Sequence, residues 1–474
     1  MGGILNPVSG NSFVDLVSFR NKAVFADKTD FIAKISANIN RNRRLFAVTR
    51  PRGFGKTVTA HMLLAYYSKA YAGQHIFDGL KITDEDNRDS YLKHLNRYDV
   101  IYLDMNSLRV KYSEYAKDEA LQVKGVTAFA DYLKYAIIED LKENADYAGV
   151  IGKSKKAGKK SLTAALRAVC EYTKERFILI MDEWDLVFRD YRNAPGLQDD
   201  FMNLLRSLFE SDGGRGCFAL AYLTGRLPIR KNSSQFALNT FFDENTAMAP
   251  APFASYFGFT ETEIAETVKL PSCKLTQEEL KVWYGGYRLN GMDIYNPASV
   301  VSAVRDGECK GYWCGASSNE KASGEASDKE VARLLNMNFP GIREDMLNLL
   351  AGGETVFSCG RFQNDMTGIK SRDDALCLLV CLGYLGCKNP DGETSAAEKS
   401  SDENRDDKTE ETEPEQLRRL DYLGAARRRN RRIAYVPNAE IKAALLDIVK
   451  EQYWNESQGA HKTIPAPSES QQGS

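Results

Sequence analysis

Four short apolar runs govern what this chain can fold into: RRLFAVT (43–49), DVIYLDM (99–105), RFILIMDEWD (176–185) and GCFALAYLTG (216–225). Each is nearly continuous in apolar residues, the pattern of a strand covered on both faces. Between them lie segments with apolar residues at helical spacing: KTVTAHMLLAYYSKAY, TAFADYLKYAIIEDLKENA (127–145), SLTAALRAVCEYTKE and QDDFMNLLRSLFES. The alternation predicts an α/β fold, a parallel sheet flanked by helices.

From about residue 255 the period changes. FTETEIAETVKL offers Thr260 as N-cap with Glu263 three residues on, a capping box. Helical patterns then dominate: TQEELKVWYGGY, NPASVVSAVRDG, DKEVARLLN, GIREDMLNLLAGG and SRDDALCLLVCLGYLG. The expected organisation is a nucleotide-type α/β domain over 1–255 and a mainly helical lid or second domain over 256–388. Residues 389–416 form an acidic, polar insert too poor in apolar side chains to offset the entropy of ordering. A basic segment, a strand and a terminal helix are expected over 417–455, and a disordered tail over 456–474. The basic stretch 417–432 either balances the acidic insert as a solvated helix or meets nucleic acid, and GKSKKAGKK (152–160) is a second basic loop.

Composition narrows the class. The chain has 474 residues, 43% hydrophobic and 27% charged, with net charge −2, so no global field argues for nucleic acid or membrane. No apolar run approaches the roughly 18–20 residues of a membrane span. The N-terminus has no basic region before an apolar core, as a secretory signal would, and Asn6 stands where a myristoylation motif wants Ser or Thr. Nine cysteines without a C-x-x-C pair point to structural thiols in a reducing compartment. His61, His75, His94 and His461 show no ligand spacing. A cytoplasmic location is expected.

The chemistry concentrates at the ends of the apolar runs. FAVTRPRGFGKT (46–57) ends in the Gly-Lys-Thr of a phosphate-binding loop, although Arg50 stands where the general pattern opens with glycine. Such a loop offers backbone N–H groups and a helix N-terminus to the phosphates; its Lys reaches the terminal oxygens and its Ser or Thr holds Mg²⁺. The expected nucleotide-binding residues are Arg52, Gly53, Phe54, Gly55, Lys56, Thr57 and Val58. The run FILIMDE resembles a Walker B strand, with Asp182 and Thr57 as the metal pair and Glu183 to orient or activate water. Thr224, at the end of LAYLT, is placed to sense the γ-phosphate. The catalytic set is therefore Glu183, Lys56 and Thr224. Arg50, Arg52, Arg226, Arg230 and Lys231 are further cations that either meet phosphate or stay at the surface.

With these residues in hand the chain resembles the bacterial AAA-ATPase-like proteins, predicted P-loop ATPases often fused to a C-terminal PD-(D/E)XK nuclease-like domain. The resemblance rests on Asp27, Lys28, Thr29, Phe31 and Ile32 before the loop, on Arg50 to Thr57 within it, and on Asp182, Glu183, Trp184 and Asp185. LTGRLPIRK, QFALNTF, YFGFTETEI, WYGGY, YNPASVV, YW, FQNDM, SRDDALCLL, LGYLG and VPNAEI follow in the family's order, with GYLGC and IAYVPN as a small β-hairpin. Arg-Pro-Arg is the family's usual opening of the loop. Two positions depart from the pattern: Gly53, where a second arginine is usual, and Gly285, where an aspartate is usual. No D…E-x-K strand follows VPNAEI, so the nuclease module is expected to be missing. The resemblance implies ATP and Mg²⁺ as ligands and a nucleotide state coupled to a conformational change in the helical C-terminal region. Rival readings are a non-hydrolysing, nucleotide-gated switch that recruits a protein or DNA partner, and a decayed mobile-element relative. A homo-oligomer stays open. No guanine-reading N/T-K-x-D motif is apparent, which favours ATP over GTP.

Overall fold

The computed structural model describes residues 3–21, 23–117, 126, 128–154, 161–228, 242–249, 252–313, 328–360, 362, 369–390 and 430–461. Strand β1 (Leu45–Thr49) leads into helix α1 (Lys56–Tyr67), and β2 (Val100–Asp104) leads into α2 (Met105–Tyr115). Helices α3 (Phe129–Glu143) and α4 (Leu162–Thr173) precede β3 (Phe177–Asp182). Next come a short α5 (Leu186–Asp190), α6 (Pro195–Phe209), β4 (Phe218–Gly225) and β5 (Asp243–Asn245). The five strands form one parallel sheet in the order β2-β3-β4-β1-β5. Strand β4 thus lies between the strand that carries the phosphate loop and the strand that carries the paired carboxylates.

The continuous apolar runs follow from burial on both faces. Leu45, Ala47, Ile101, Leu103, Leu179 and Met181 face one apolar cluster, with α3, α4 and α6. Phe46, Val48, Tyr102, Ile178 and Ile180 face the other, with α1 and the N-terminal residues Phe31 and Ile32. Alternate residues point to opposite faces of a strand, so a two-sided core demands apolar residues at every position.

The C-terminal half mixes helices with two small sheets. Strand β6 (Phe259–Thr260) enters α7 (Glu261–Thr267) through the expected capping box of Thr260 and Glu263. Helix α8 (Gln277–Tyr284) starts with a second box, Thr276 and Glu279. Strands β7 (Tyr287–Leu289) and β8 (Met292–Tyr295) pair antiparallel, and β6 completes a three-stranded sheet. Helices α9 (Pro297–Asp306) and α10 (Ile342–Leu350) follow, then β9 (Thr355–Ser358) and α11 (Arg372–Leu382). Strand β10 (Gly386–Lys388) pairs with β11 (Arg431–Tyr435) as the expected hairpin strands do, and β9 joins them in a second three-stranded sheet. Helix α12 (Ala439–His461) runs past residue 455.

These elements do not stand apart from the parallel sheet. Trp313, Leu376, Leu379, Leu385 and Ile441 belong to the same apolar cluster as α3, α4 and α6. No helix among the described residues is long and apolar enough to cross a membrane. Residues 391–429, with most of the acidic insert and the basic stretch, lie outside the described residues, as do 155–160 of the basic loop, Arg230 and Lys231.

Candidate functional site: a phosphate loop and paired carboxylates at the ends of the sheet

Strands β1, β3 and β4 run in parallel, so their C-terminal ends open at one edge, where ligands bind in α/β sheets. The loop after β1 turns through Gly53 at φ +79° and Gly55 at φ +81°, left-handed conformations that favour glycine. Gly55 is the N-cap of α1, so the backbone N–H groups of Lys56 and Thr57 sit at a helix N-terminus. Lys56 is buried and donates to the Pro51 carbonyl at 2.7 Å. Burial, then the nearby Arg226 charge, lowers its ammonium to about 8 against the pull of Glu183, Asp182 and Asp185.

Asp182 closes β3 and is also buried. Its Oδ1 accepts from the Thr224 hydroxyl at 2.6 Å. Burial pushes its carboxyl up to about 6, although the hydroxyls of Thr224 and Thr57 both hydrogen-bond to it and pull the other way. Thr57, Asp182 and Thr224 therefore meet from three elements. Lys56, Thr57, Glu183 and Arg226 line a cleft of about 1450 Å³, and Arg52, Gly53, Phe54, Gly55 and Val58 complete the loop's wall of it.

Glu183 leaves the strand with φ +58°, a conformation that non-glycine residues adopt at a cost and keep only where their surroundings hold them. The next residue is fixed to β4, where the Trp184 N–H donates to the Thr224 carbonyl at 2.9 Å. The Glu183 carboxylate receives Arg189 Nη2 on Oε2 at 3.0 Å and has Arg226 Nη2 at 4.0 Å from Oε1. Burial acts to raise its carboxyl, but Arg189, Arg226 and Lys56 outweigh that and hold it near about 2.

The other candidates fall into distinct roles. Arg50 is fully buried and does not line the cleft; it donates to the Thr49 carbonyl at 2.9 Å, to the Asn245 carbonyl at 3.0 Å and to Asn245 Oδ1. Its guanidinium also lies over the Phe257 ring, 5.4 Å from the centroid. It clamps β1 to β5 from behind the loop, neither a surface charge nor a phosphate contact. Phe54 is buried edge-on against Tyr287, with centroids 5.0 Å apart. Of the DKT element, Asp27 accepts from the Thr29 N–H and hydroxyl, and Lys28 bridges to Glu263 at 2.6 Å.

Sequence reasoning missed three residues around the loop. Asn296 donates through Nδ2 to the Arg52 carbonyl at 3.4 Å and caps α9 through Oδ1. Glu440, at the start of α12, is buried and accepts from Ser299 Oγ at 2.8 Å and the Tyr312 N–H at 2.6 Å. Arg189 is the third; its i,i+4 spacing from Asp185 was the available signal, and Nε donates to Asp185 Oδ2 at 3.1 Å. The two departures from the family pattern also gain a physical setting. A Cβ on Gly53 would lie 2.5 Å from Asn296 Oδ1, and one on Gly285 would lie 2.9 Å from the Lys281 carbonyl.

Residues 7–234 match the model of a family described as predicted AAA-ATPase. Over these residues the chain is similar to the AAA-ATPase-like family. The match covers the whole phosphate loop, the paired carboxylates and Thr224. A curated relative, an uncharacterized protein in the vnfD 5' region of Azotobacter chroococcum mcd 1, is 24% identical over 294 residues, 61% of this chain and 50% of that protein. The chain spans about half the length of that relative. Among solved structures, the ORC2 protein of Aeropyrum pernix, determined as ADPNP–ADP complexes, overlays loosely with TM-score 0.35. The two are 11% identical over 91% of this chain and 94% of that one.

Proposed function

We propose that the AAA-ATPase-like site binds ATP with Mg²⁺ and hydrolyses it. The observation that carries this reading is the meeting of Thr57, Asp182 and Thr224 beside Lys56 and Glu183, from two strand ends and one helix N-terminus. The loop's N–H groups and Lys56 would take the phosphates, with Arg52, Gly53, Phe54, Gly55 and Val58 shaping the path. Val24, Phe25, Met62, Tyr256 and Phe259 give the cleft an apolar share of its lining that would suit a flat base.

Thr57 and Asp182 offer only oxygen donors, a set that fits Mg²⁺. Bound there, the ion would offset charge on the phosphoryl oxygens. Lys56 would stabilise charge that builds on the transferred group, Thr224 would keep Asp182 oriented, and Glu183 would orient the attacking water.

The loop's contacts support coupling to the C-terminal half. Asn296 and the Ala298 N–H hold the Arg52 and Gly53 carbonyls, at 3.4 and 3.3 Å. Tyr287 packs on Phe54, and a Cβ on Gly383 would lie 2.6 Å from Pro51. A shift of the loop on binding phosphate would be felt by all of these.

Phosphate release by the purified chain, compared with Lys56→Ala and Glu183→Gln, tests the reading. The wild type should exceed both variants by about a hundredfold. Equal rates in all three, with ATP still bound by the wild type, would leave a nucleotide-gated switch in its place.

A further inference from the structure

Glu183 stands at a strand end with its backbone in a left-handed conformation, so its carboxylate needs something to aim it. The side chain is 30% exposed and lines the cleft. Arg226 is 4.0 Å away, beyond hydrogen-bond reach. Arg189 is within it, at 3.0 Å from Oε2.

Arg189 is itself held. Its Nε donates to Asp185 Oδ2 at 3.1 Å, and Asp185 is fully buried. The same Asp185 oxygen accepts the backbone N–H groups of Arg226 at 3.1 Å and Leu227 at 3.0 Å. A Cβ on Gly225 would lie 2.5 Å from Asp185 Oδ1, so this carboxylate packs closely against the glycine that ends β4. A chain of fixed contacts therefore runs from the end of β4 through Asp185 and Arg189 to one oxygen of Glu183. A planar guanidinium suits this task, because its donors point in fixed directions and can serve two carboxylates at once.

We infer that Arg189 is a positioning residue for the reaction: it holds Glu183 Oε2, so that Oε1 is the oxygen presented to the attacking water. This rests on the ATPase reading above. A merely structural ion pair would use the same contacts, but it would act on stability and not through Glu183. Those two roles separate in a double-mutant cycle.

The cycle compares turnover and melting temperature of the full chain as wild type, Arg189→Ala, Glu183→Gln and the double variant. Arg189→Ala should lower kcat by about tenfold or more, with KM for ATP changed by less than about threefold. In the Glu183→Gln background the same change should move the residual rate by less than about twofold, because the group it aims is already disabled. Should Arg189→Ala unfold by its melting curve, Arg189→Lys carries the cycle, since it keeps a charge beside Asp185 but cannot bridge both carboxylates. Additive losses in the two backgrounds, or full kcat in the folded Arg189 variant, overturn the inference and leave the ATPase reading intact. A wild type no faster than Glu183→Gln overturns both.

Discussion

Glu440 shows how one buried side chain can tie the C-terminal helix to the loop. It lies at the start of α12, yet it accepts from Ser299 at the start of α9 and from the backbone of Tyr312. Burial raises its carboxyl from the ordinary 4.5 to about 7, although the N–H groups of Tyr312 and Trp313, the Ser299 hydroxyl and the Arg52 charge all favour the ionised form. The sign of the pH effect follows from the raised value. Between the two values the folded chain keeps a proton that the unfolded chain has released, so the contribution is complete below 4.5 and lost as pH rises through about 7. The loss should amount to about 3 kcal/mol. Glu440→Gln should flatten this part of the profile: its carbonyl can face the two N–H groups while its amide donates to Ser299. Melting temperatures of both proteins between about pH 5 and pH 8 check this. Parallel curves for wild type and variant would show that the carboxyl is not the group responsible.

At the scale of elements, α9 is the part that meets the phosphate loop end-on. Asn296 both caps this helix and donates to the Arg52 carbonyl. Asn296→Ala should cost about 1 kcal/mol through loss of the cap. Asn296→Asp keeps the cap but loses the donor and puts negative charge beside the phosphate path. It should therefore melt near the wild type while binding ATP at least about tenfold more weakly, a difference of roughly 1.4 kcal/mol. Melting curves and a titration with a fluorescent ATP analogue give both numbers; wild-type affinity in Asn296→Asp would mean that α9 does not speak to the loop. The same elements show why the sequence was legible in some places and not in others. Strands β1 to β4 announce themselves because burial on both faces fills every position with apolar residues. Strand β5 has only three residues, with burial running from exposed to buried, and no period can be seen in it. Lys56, Thr57, Asp182, Glu183 and Thr224 were visible because strand ends and a helix start place them without help from the rest of the fold. The contacts of Asn296, Glu440 and Arg50 were not, since their partners lie 244, 141 and 195 residues away in the chain. Arg50 also defeats the ordinary expectation for a charged side chain, because its partners are carbonyl oxygens and an aromatic face deep in the protein.

On the scale of the whole molecule, one apolar cluster takes in residues from both sides of residue 255. Motifs far apart in sequence pack on one another: Tyr435 donates to the Gly286 carbonyl at 3.0 Å, and Asn438 donates to that of Gly285 at 2.8 Å. A Cβ on Gly286 would lie 2.0 Å from the Pro437 carbonyl oxygen, so WYGGY and VPNAEI meet as backbone on backbone. Tyr287 of the first motif then reaches Phe54 in the loop, and its hydroxyl donates to the Gly383 carbonyl at 2.8 Å. Leu379 on α11 is fully buried in the apolar cluster that also covers Leu179 and Met181 of β3. The two halves should therefore unfold together. Of the four tryptophans, Trp184 lies beside the carboxylates, while Trp283, Trp313 and Trp454 belong to the C-terminal half, Trp313 against Tyr384. Leu379→Ala removes buried methyl groups and should cost about 2–5 kcal/mol. In a shared core that loss lowers one common transition, seen alike in a Trp184→Phe background, which leaves only C-terminal reporters, and in a Trp283→Phe, Trp313→Phe, Trp454→Phe background, which leaves only Trp184. Saturating ATP and Mg²⁺ should raise the same transition, by about 2.7 kcal/mol at a hundredfold excess over Kd. If Leu379→Ala instead shifts only the transition followed by the C-terminal tryptophans, the C-terminal half is an independent folding unit, and a movement of the loop would reach it only through the few contacts at Asn296, Tyr287 and Gly383.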